Sequence, residues 1–268
     1  MDEPDWVPEG IDADRPTAAR IYDYLLGGFH NFAVDREVAR AAMAAMPDVA
    51  TQAKANRAFV HRAVRYLVGQ GVTQFLDLGS GIPTLGNVHE IARQASPEAR
   101  VLYVDIDPIA VAHGRHILAG TPGVAVVQAD LRAPETVLAA PETRETLRLD
   151  RPVAVLAVAV LHAVPDADAP AAVLARLRDA LRGGSWLTIA HGTHDSRPEE
   201  ARRLTELSSR TNTPLTTRTR DQIAAFFDGY ELVEPGLVWA PQWRPDPPES
   251  VPAQPERSGN LVGVGRSR

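Results

Sequence analysis

Gln74-Phe75-Leu76-Asp77-Leu78-Gly79-Ser80-Gly81 limits what the chain can fold into more than any other stretch. Apolar residues flank one acid, and Gly-Ser-Gly then breaks the run. Such a run reads as a buried parallel strand that ends in a tight turn. The glycines permit unusual backbone angles and let a ligand approach the main chain. Asn87-Val88-His89-Glu90-Ile91-Ala92 suits a helix. A helix N-terminus returning to the strand end makes a ligand site at the edge of an open sheet. Taken alone, the turn is equally well read as an ordinary strand-to-helix connection.

Three functional readings of the turn fail on single positions. A dinucleotide fingerprint needs a third glycine where the chain has Thr84, and a P-loop needs a closing Gly-Lys-Ser/Thr that is absent. A nucleophile elbow needs glycines where Leu78 and Ile82 flank Ser80. What remains is Asp-x-Gly-x-Gly at Asp77, Gly79 and Gly81, which resembles the first motif of class I S-adenosylmethionine (SAM) methyltransferases.

Along the chain, three helical segments are predicted before the first strand: one from Pro16 to the Gly27-Gly28 break, one over 35–45, and one over 51–68. They carry too few large apolar residues to stand alone, so residues 1–72 read as a helical cap and 73–268 as the main domain. Strands are then expected at 101–105, 124–127, 153–161 and 186–190, alternating with helices. Ser196 with Glu199 and Thr219 with Gln222 match the capping box of helix starts. Later strands, possible antiparallel partners, fall at 231–239 and 261–264, with a proline-rich surface loop over 241–255. The alternation implies an α/β fold with a doubly wound parallel sheet.

In such sheets ligands bind beyond the carboxyl ends of the strands. That rule selects Gly79 to Gly81, Asp105 to Asp107, Asp130 with Leu131, His162, and the stretch from His191 to Asp195. Asp105 ends the second strand, where a carboxylate can accept both hydroxyls of a ribose; Asp107, just before Pro108, better suits a helix cap. Asp77 can hold the glycine turn or meet a ligand ammonium. His162, His191 and His194 are weak candidates for a catalytic base. His113 and His116, one helical turn apart, lack a third ligand and read as exposed helix positions, so no metal site is assigned.

Composition narrows the function. The 268 residues carry a formal charge of −6, which argues against a general nucleic-acid binder. There is no cysteine, so disulfides and thiolate metal sites are excluded. The acidic Met1-Asp2-Glu3-Pro4-Asp5 is unlike a signal peptide, and the apolar run 153–161 is too short to span a membrane. A soluble cytoplasmic protein with a small-molecule substrate is expected, with neither nucleic acid nor membrane as partner.

Arg20-Ile21-Tyr22-Asp23-Tyr24-Leu25-Leu26-Gly27-Gly28, followed by Asn31-Phe32 and Asp35-Arg36, resembles the opening signature of a bacterial family of SAM-dependent methyltransferase-like proteins long catalogued as a domain of unknown function. Tyr103-Val104-Asp105-Ile106-Asp107-Pro108, Ala129-Asp130-Leu131-Arg132, Ala159-Val160-Leu161-His162 and Trp243-Arg244-Pro245 also match it. The resemblance implies a Rossmann-like class I methyltransferase sheet, SAM as cofactor and S-adenosylhomocysteine (SAH) as product. Cofactor binding then falls to Asp77, Gly79, Ser80, Gly81, Asp105, Ile106, Asp107, Asp130, Leu131, Ala159 and Val160. Asp130 is expected at the adenine amino group and the Leu131 amide at a ring nitrogen. The expected function is methyl transfer to a small molecule, with a non-catalytic SAM-binding regulator as the alternative. An NAD-dependent oxidoreductase is disfavoured by Thr84 and by the lack of a Tyr-x-x-x-Lys pair. Arg20, Tyr22, Asn31 and Phe32 crowd around the Gly27-Gly28 break and are expected to form a lid over the pocket.

Overall fold

The computed structural model describes residues 13–83, 86–209 and 214–268. The acidic start, Thr84, and positions 210–213 lie outside them. Three helices come first: α1 (Ala18–Leu26), α2 (Ala33–Ala45) and α3 (Val49–Gly69). Then follow β1 (Gln74–Leu78), α4 (Val88–Arg93), β2 (Arg100–Asp105), α5 (Pro108–Ile117) and β3 (Val124–Gln128). After them come α6 (Pro134–Ala139), α7 (Pro141–Thr146), β4 (Ala154–Val158), α8 (Pro170–Ala180) and β5 (Trp186–Gly192). The last elements are α9 (Pro198–Ser208), α10 (Arg220–Ala224), β6 (Tyr230–Leu232), β7 (Val238–Trp239) and β8 (Asn260–Ser267). The sheet runs β3-β2-β1-β4-β5-β8-β6, with β7 also on β8. Strands β1 to β5 are parallel, and β8 is antiparallel to its neighbours. This is the doubly wound α/β sheet that the sequence predicts.

Local chemistry explains the boundaries, including those the sequence places elsewhere. Asp107 caps α5 by accepting the Ile109 N–H at 2.9 Å, and Thr219 caps α10 with Gln222 in reciprocal contact. Helices α6 and α7 occupy a stretch without clear periodicity; each starts on a proline, whose fixed φ suits the first turn. The Ser196–Glu199 pattern is not used as a cap: Arg197 precedes α9 and Pro198 opens it. Strand β4 stops at Val158 rather than 161, because Ala159 turns to φ +53° and Leu161–Ala163 coil into a 3₁₀ turn. The predicted strand over 231–239 is two short strands, and the predicted surface loop over 241–255 contains the fully buried Trp243.

The pleat sorts side chains onto two faces. Phe75, Tyr103, Leu156 and Trp186 join one core, shared with α3 and α4; Leu76, Leu102, Val155 and Leu187 join the other, shared with α8. Phe59, Ala63, Val64 and Leu67 bring α3 fully into the first core. Phe59 and Tyr66 meet the Trp243 ring edge-on at 5.4 and 5.7 Å. Arg62 donates to the Trp243 and Ala240 carbonyls at 2.8 and 2.7 Å. Helix α3 is thus part of the sheet's own core, while α1 and α2 lie beyond it. No helix among the described residues is long and apolar enough to cross a membrane.

Phe59→Ala is expected to lower the unfolding free energy by about 3–5 kcal/mol, through lost burial plus the cavity left against Trp243. Denaturant titration of the full chain measures it.

Candidate functional site

A cavity of about 930 Å³ opens over the carboxyl ends of the parallel strands. Its floor begins at the glycine turn. The Gly79 and Ser80 amides both donate to the Val104 carbonyl, at 2.7 and 3.1 Å, which bends the chain sharply after β1. Gly79 has φ +66°, and a Cβ there would lie 2.1 Å from Val160 Cγ2, so only glycine fits. Ala159, itself at φ +53°, and Val160 form the adjoining wall.

Asp105 ends β2 and braces this turn. One carboxylate oxygen accepts the Gly81 N–H at 2.8 Å and the other the Asp107 N–H at 2.9 Å. A carboxylate offers about four lone-pair positions, more than the Gly81, Ile106 and Asp107 amides use, and Asp105 lines the cavity. Burial raises the pKa of Asp105, against the pull of those amides. Ile106, 57% exposed, presents an uncovered apolar surface at the cavity edge. Asp107 also lines the cavity, with one oxygen engaged in capping α5. Asp130 and Leu131 line it beyond β3. Arg132 grips Asp130 through Nε and Nη2, at 2.8 and 2.6 Å to one oxygen, and holds its pKa below the ordinary carboxylate value.

Asp77 faces α3 because it shares a pleat face with Phe75. It accepts no hydrogen bond from the described residues. Burial pushes its pKa up to about 7, against the attraction of Arg57. Arg57 comes from α3 and lines the same cavity, and its buried Nε has no partner. An unmatched cation and an unmatched carboxyl therefore share one enclosure. Next to Arg57, Asn56 Nδ2 donates to the Tyr22 hydroxyl at 2.9 Å, which donates to the Ala53 carbonyl at 3.2 Å. Asn56 Oδ1 is left buried and unpartnered. Neither Asn56 nor Arg57 stands out in the sequence, since both look like ordinary polar positions of a helix.

The three candidate histidines separate. His162 lines the cavity, and its ring nitrogens make no hydrogen bond to described residues. Burial and then Arg218 hold its pKa down to about 4. His191 is fully buried outside the cavity lining. Its Nδ1 donates to the Gly192 carbonyl at 2.8 Å and its Nε2 accepts from Arg218 Nη1 at 2.8 Å, so both nitrogens are engaged. Burial, followed by the His162 ring, keeps its pKa at about 3. His194 bonds Thr217 Oγ1 at 3.1 Å and also lies outside the lining. His113, read as an exposed position, is buried edge-on to His30 at 5.9 Å.

Arg218, from a stretch rich in Thr and Arg, is a buried clamp. It donates to the Leu161 and Val164 carbonyls at 2.9 and 2.7 Å and to Asp166 at 2.7 Å, fixing the turn that carries His162.

The expected lid residues also divide. Tyr22 lines the cavity, and Ala19 of α1 lies 3.9 Å from where a Gly81 Cβ would be, so α1 covers the glycine turn. Arg20, Asn31 and Phe32 do not line the cavity, which corrects that expectation. Arg20 is buried and donates Nε to Asp35 at 2.8 Å, with its guanidinium 4.8 Å from the Phe32 ring. Asp35 also accepts the Thr17 and Phe32 amides at 3.0 and 2.8 Å. Asn31 Nδ2 donates to Asp23 and to the Gly28 carbonyl, both at 2.9 Å. Their polar groups join α1 to α2 because a tight helix–helix turn leaves backbone donors and acceptors that need partners.

A family model described as S-adenosyl methyltransferase matches residues 4–268. The chain is 40% identical to a Thermobifida fusca protein solved as a candidate methyltransferase, over 99% of this chain and 100% of that one, with a TM-score of 0.91. It is 39% identical to a DUF574 family protein from Streptomyces avermitilis, over 96% and 99% of the two chains, also with a TM-score of 0.91. The magnesium protoporphyrin IX methyltransferase of Synechocystis, solved with SAH bound, shares the fold at 13% identity, a TM-score of 0.52 and coverage of 92% and 93%. No curated protein matches the chain. The chain belongs to the S-adenosyl methyltransferase family, with SAM as its methyl donor and SAH as the product.

Arg218→Met strands the Val164 carbonyl, while the Leu161 carbonyl keeps the Val164 N–H at 3.1 Å. The expected loss of stability is about 1–3 kcal/mol for each buried group left unpaired, read by urea denaturation.

Proposed function

We propose that this S-adenosyl methyltransferase passes the methyl group of SAM to a small-molecule acceptor held beside it in the same cavity. The observation that carries the cofactor half is the unmatched Arg57 and Asp77, opposite charges that suit the carboxylate and ammonium of a methionine end. In this reading Gly79, Ser80 and Gly81 let the backbone come close to the ligand, and the open lone pairs of Asp105 receive the ribose hydroxyls. Ile106 covers one face of the adenine, Asp130 and the Leu131 amide meet its edge, and Ala159 and Val160 close the side. The helical cap within residues 1–72 shields the site built on 73–268, with Tyr22 and α1 as its cover.

When bound, SAM would supply a sulfonium methyl group; its transfer to an acceptor O–H or N–H leaves the neutral thioether of SAH, and the acceptor's proton passes to solvent. The chain's own contribution is alignment and exclusion of water, which can supply most of the rate for an in-line displacement. His162 is the histidine that opens to the cavity. Held at about 4, it is unprotonated at neutral pH and accepts a hydrogen bond from an acceptor hydroxyl. It is too weak a base to remove that proton by itself. His191 has no free nitrogen for such a role.

Asp77 gives a pH test. Its pKa in the free protein stands near 7, and only the carboxylate pairs with an ammonium. SAH affinity should therefore be flat above about pH 7 and fall toward tenfold per unit below it, each unit being about 1.4 kcal/mol. Asp77→Asn should bind SAH more weakly above pH 7 and lose the slope; calorimetry across pH checks both.

Transfer is tested by incubating the protein with methyl-labelled SAM and a cell extract, alongside calorimetry with SAH. SAH binding and a labelled low-mass product are expected. Arg57→Met should weaken SAH by about 1.5–3 kcal/mol, the worth of hydrogen bonds to a charged group. Failure of SAH to bind overturns the reading, as does label that appears only in macromolecules.

A further inference from the structure

We propose that the methyl acceptor is an uncharged, largely apolar small molecule, seated in the half of the cavity walled by α1, α2, α3 and α9. The inference rests on reading the strand-end half as the cofactor site. The two halves differ in chemistry. Acids, glycines and backbone amides crowd the strand ends, whereas the far half is lined by Leu26, Val38, Ala42, Met46, Leu204 and Leu207.

Helix α9 is built for this wall. Arg197, Ala201, Leu204 and Leu207 recur at three- or four-residue spacing and turn toward the cavity. Glu199, Arg202 and Glu206 turn away and pair with one another in solvent. The charges at the cavity end of α9 are paired: Arg197 Nη1 lies 2.7 Å from Glu200 and 2.8 Å from Asp48, and Arg257 lies 2.8 Å from Asp48 on its other side. Among the described residues, the charges along the α9 wall are thus matched, and a charged ligand seated against it would lose its hydration without gaining a free counter-ion. Helices α2 and α9 come together from far apart in sequence, and their facing side chains are small or aliphatic. The enclosed volume lies at the upper end of the ~300–1,000 Å³ typical of small-molecule sites, which suits two ligands side by side.

Asn56 supplies a polar handle on the α3 side of this half. Asn56 is 3% exposed and lines the cavity, and its Oδ1 has no partner while its Nδ2 is held by Tyr22. The network fixes the amide orientation, because the Tyr22 hydroxyl donates to Ala53 and so must accept from Nδ2. Oδ1 therefore demands a donor. The acceptor presents an O–H or N–H group there and an apolar body to the α2–α9 wall.

The test uses two fluorescent probes with the same aryl rings, uncharged N-phenylnaphthylamine and its anionic anilinonaphthalenesulfonate analogue, titrated into full-length protein loaded with SAH. The neutral probe is expected to bind one per chain and at least about tenfold more tightly than the sulfonate. Ala42→Trp and Leu207→Glu, on different helices, should each weaken the neutral probe by at least about tenfold while SAH affinity measured by calorimetry stays unchanged. The second variant decides if the first disturbs the fold. Equal or tighter binding of the sulfonate, or unchanged probe binding in variants that still take SAH, overturns this proposal alone. Failure of the unmodified protein to bind SAH overturns the cofactor reading beneath it as well.

Discussion

Gly79 and Val160 touch at the place where the strand order reverses, and the site depends on that contact. Strand β1 is followed by α4 on one face of the sheet, and β4 by the turn that leads to α8 on the other. The two chains part there and leave a crevice, as open α/β sheets do at their switch point. Because Gly79 lacks a Cβ, the chain leaving β4 can lie against the glycine turn; an alanine would put a carbon 2.1 Å from Val160 Cγ2. Asp105 fixes the same turn from the next strand through the Gly81 amide. The crevice is thereby held to one shape by backbone geometry before any side chain chemistry enters.

The pleat then decides which charges meet. Asp77 alternates with Leu76 and Leu78, so it faces α3 rather than α8, and α3 supplies Arg57 above it. A core built only for stability would not keep a cation with a buried, unpaired Nε beside a carboxyl whose pKa has risen to about 7. Both features weaken the fold. They are instead what a zwitterionic ligand end would relieve.

Much of the floor was legible from sequence, because it is written locally. The glycine turn, Asp105, Asp130 and the strand-end rule each depend on residues close together in the chain. The roof was not, because it depends on distant pairings. Arg20, Asn31 and Phe32 look like pocket residues in a polar, aromatic stretch, yet Asp35 and Asp23 engage Arg20 and Asn31. Asn56 and Arg57 gain meaning only once α3 lies across β1. His191 resembles His162 at a strand end until Arg218, 27 residues later, occupies its second nitrogen. Trp243 sits among prolines that read as surface, and is buried because α3 brings Phe59 and Tyr66 to it.

Floor and roof are also held by different forces. The floor belongs to a sheet buried on both faces, so deforming it would expose two cores at once. Beside the apolar half, Asp48 binds Arg197 at 2.8 Å and Arg257 at 2.8 and 2.9 Å. Those arginines hold the Asp48 pKa below the ordinary carboxylate value, Arg257 foremost. Arg257 is more than half exposed, so its pair with Asp48 contributes about 0–1 kcal/mol and weakens with salt, whereas the Arg197–Asp48 pair is largely shielded. The floor thus keeps its geometry through burial on both faces of the sheet, whereas the wall at the start of α9 is tied by a cluster of ion pairs.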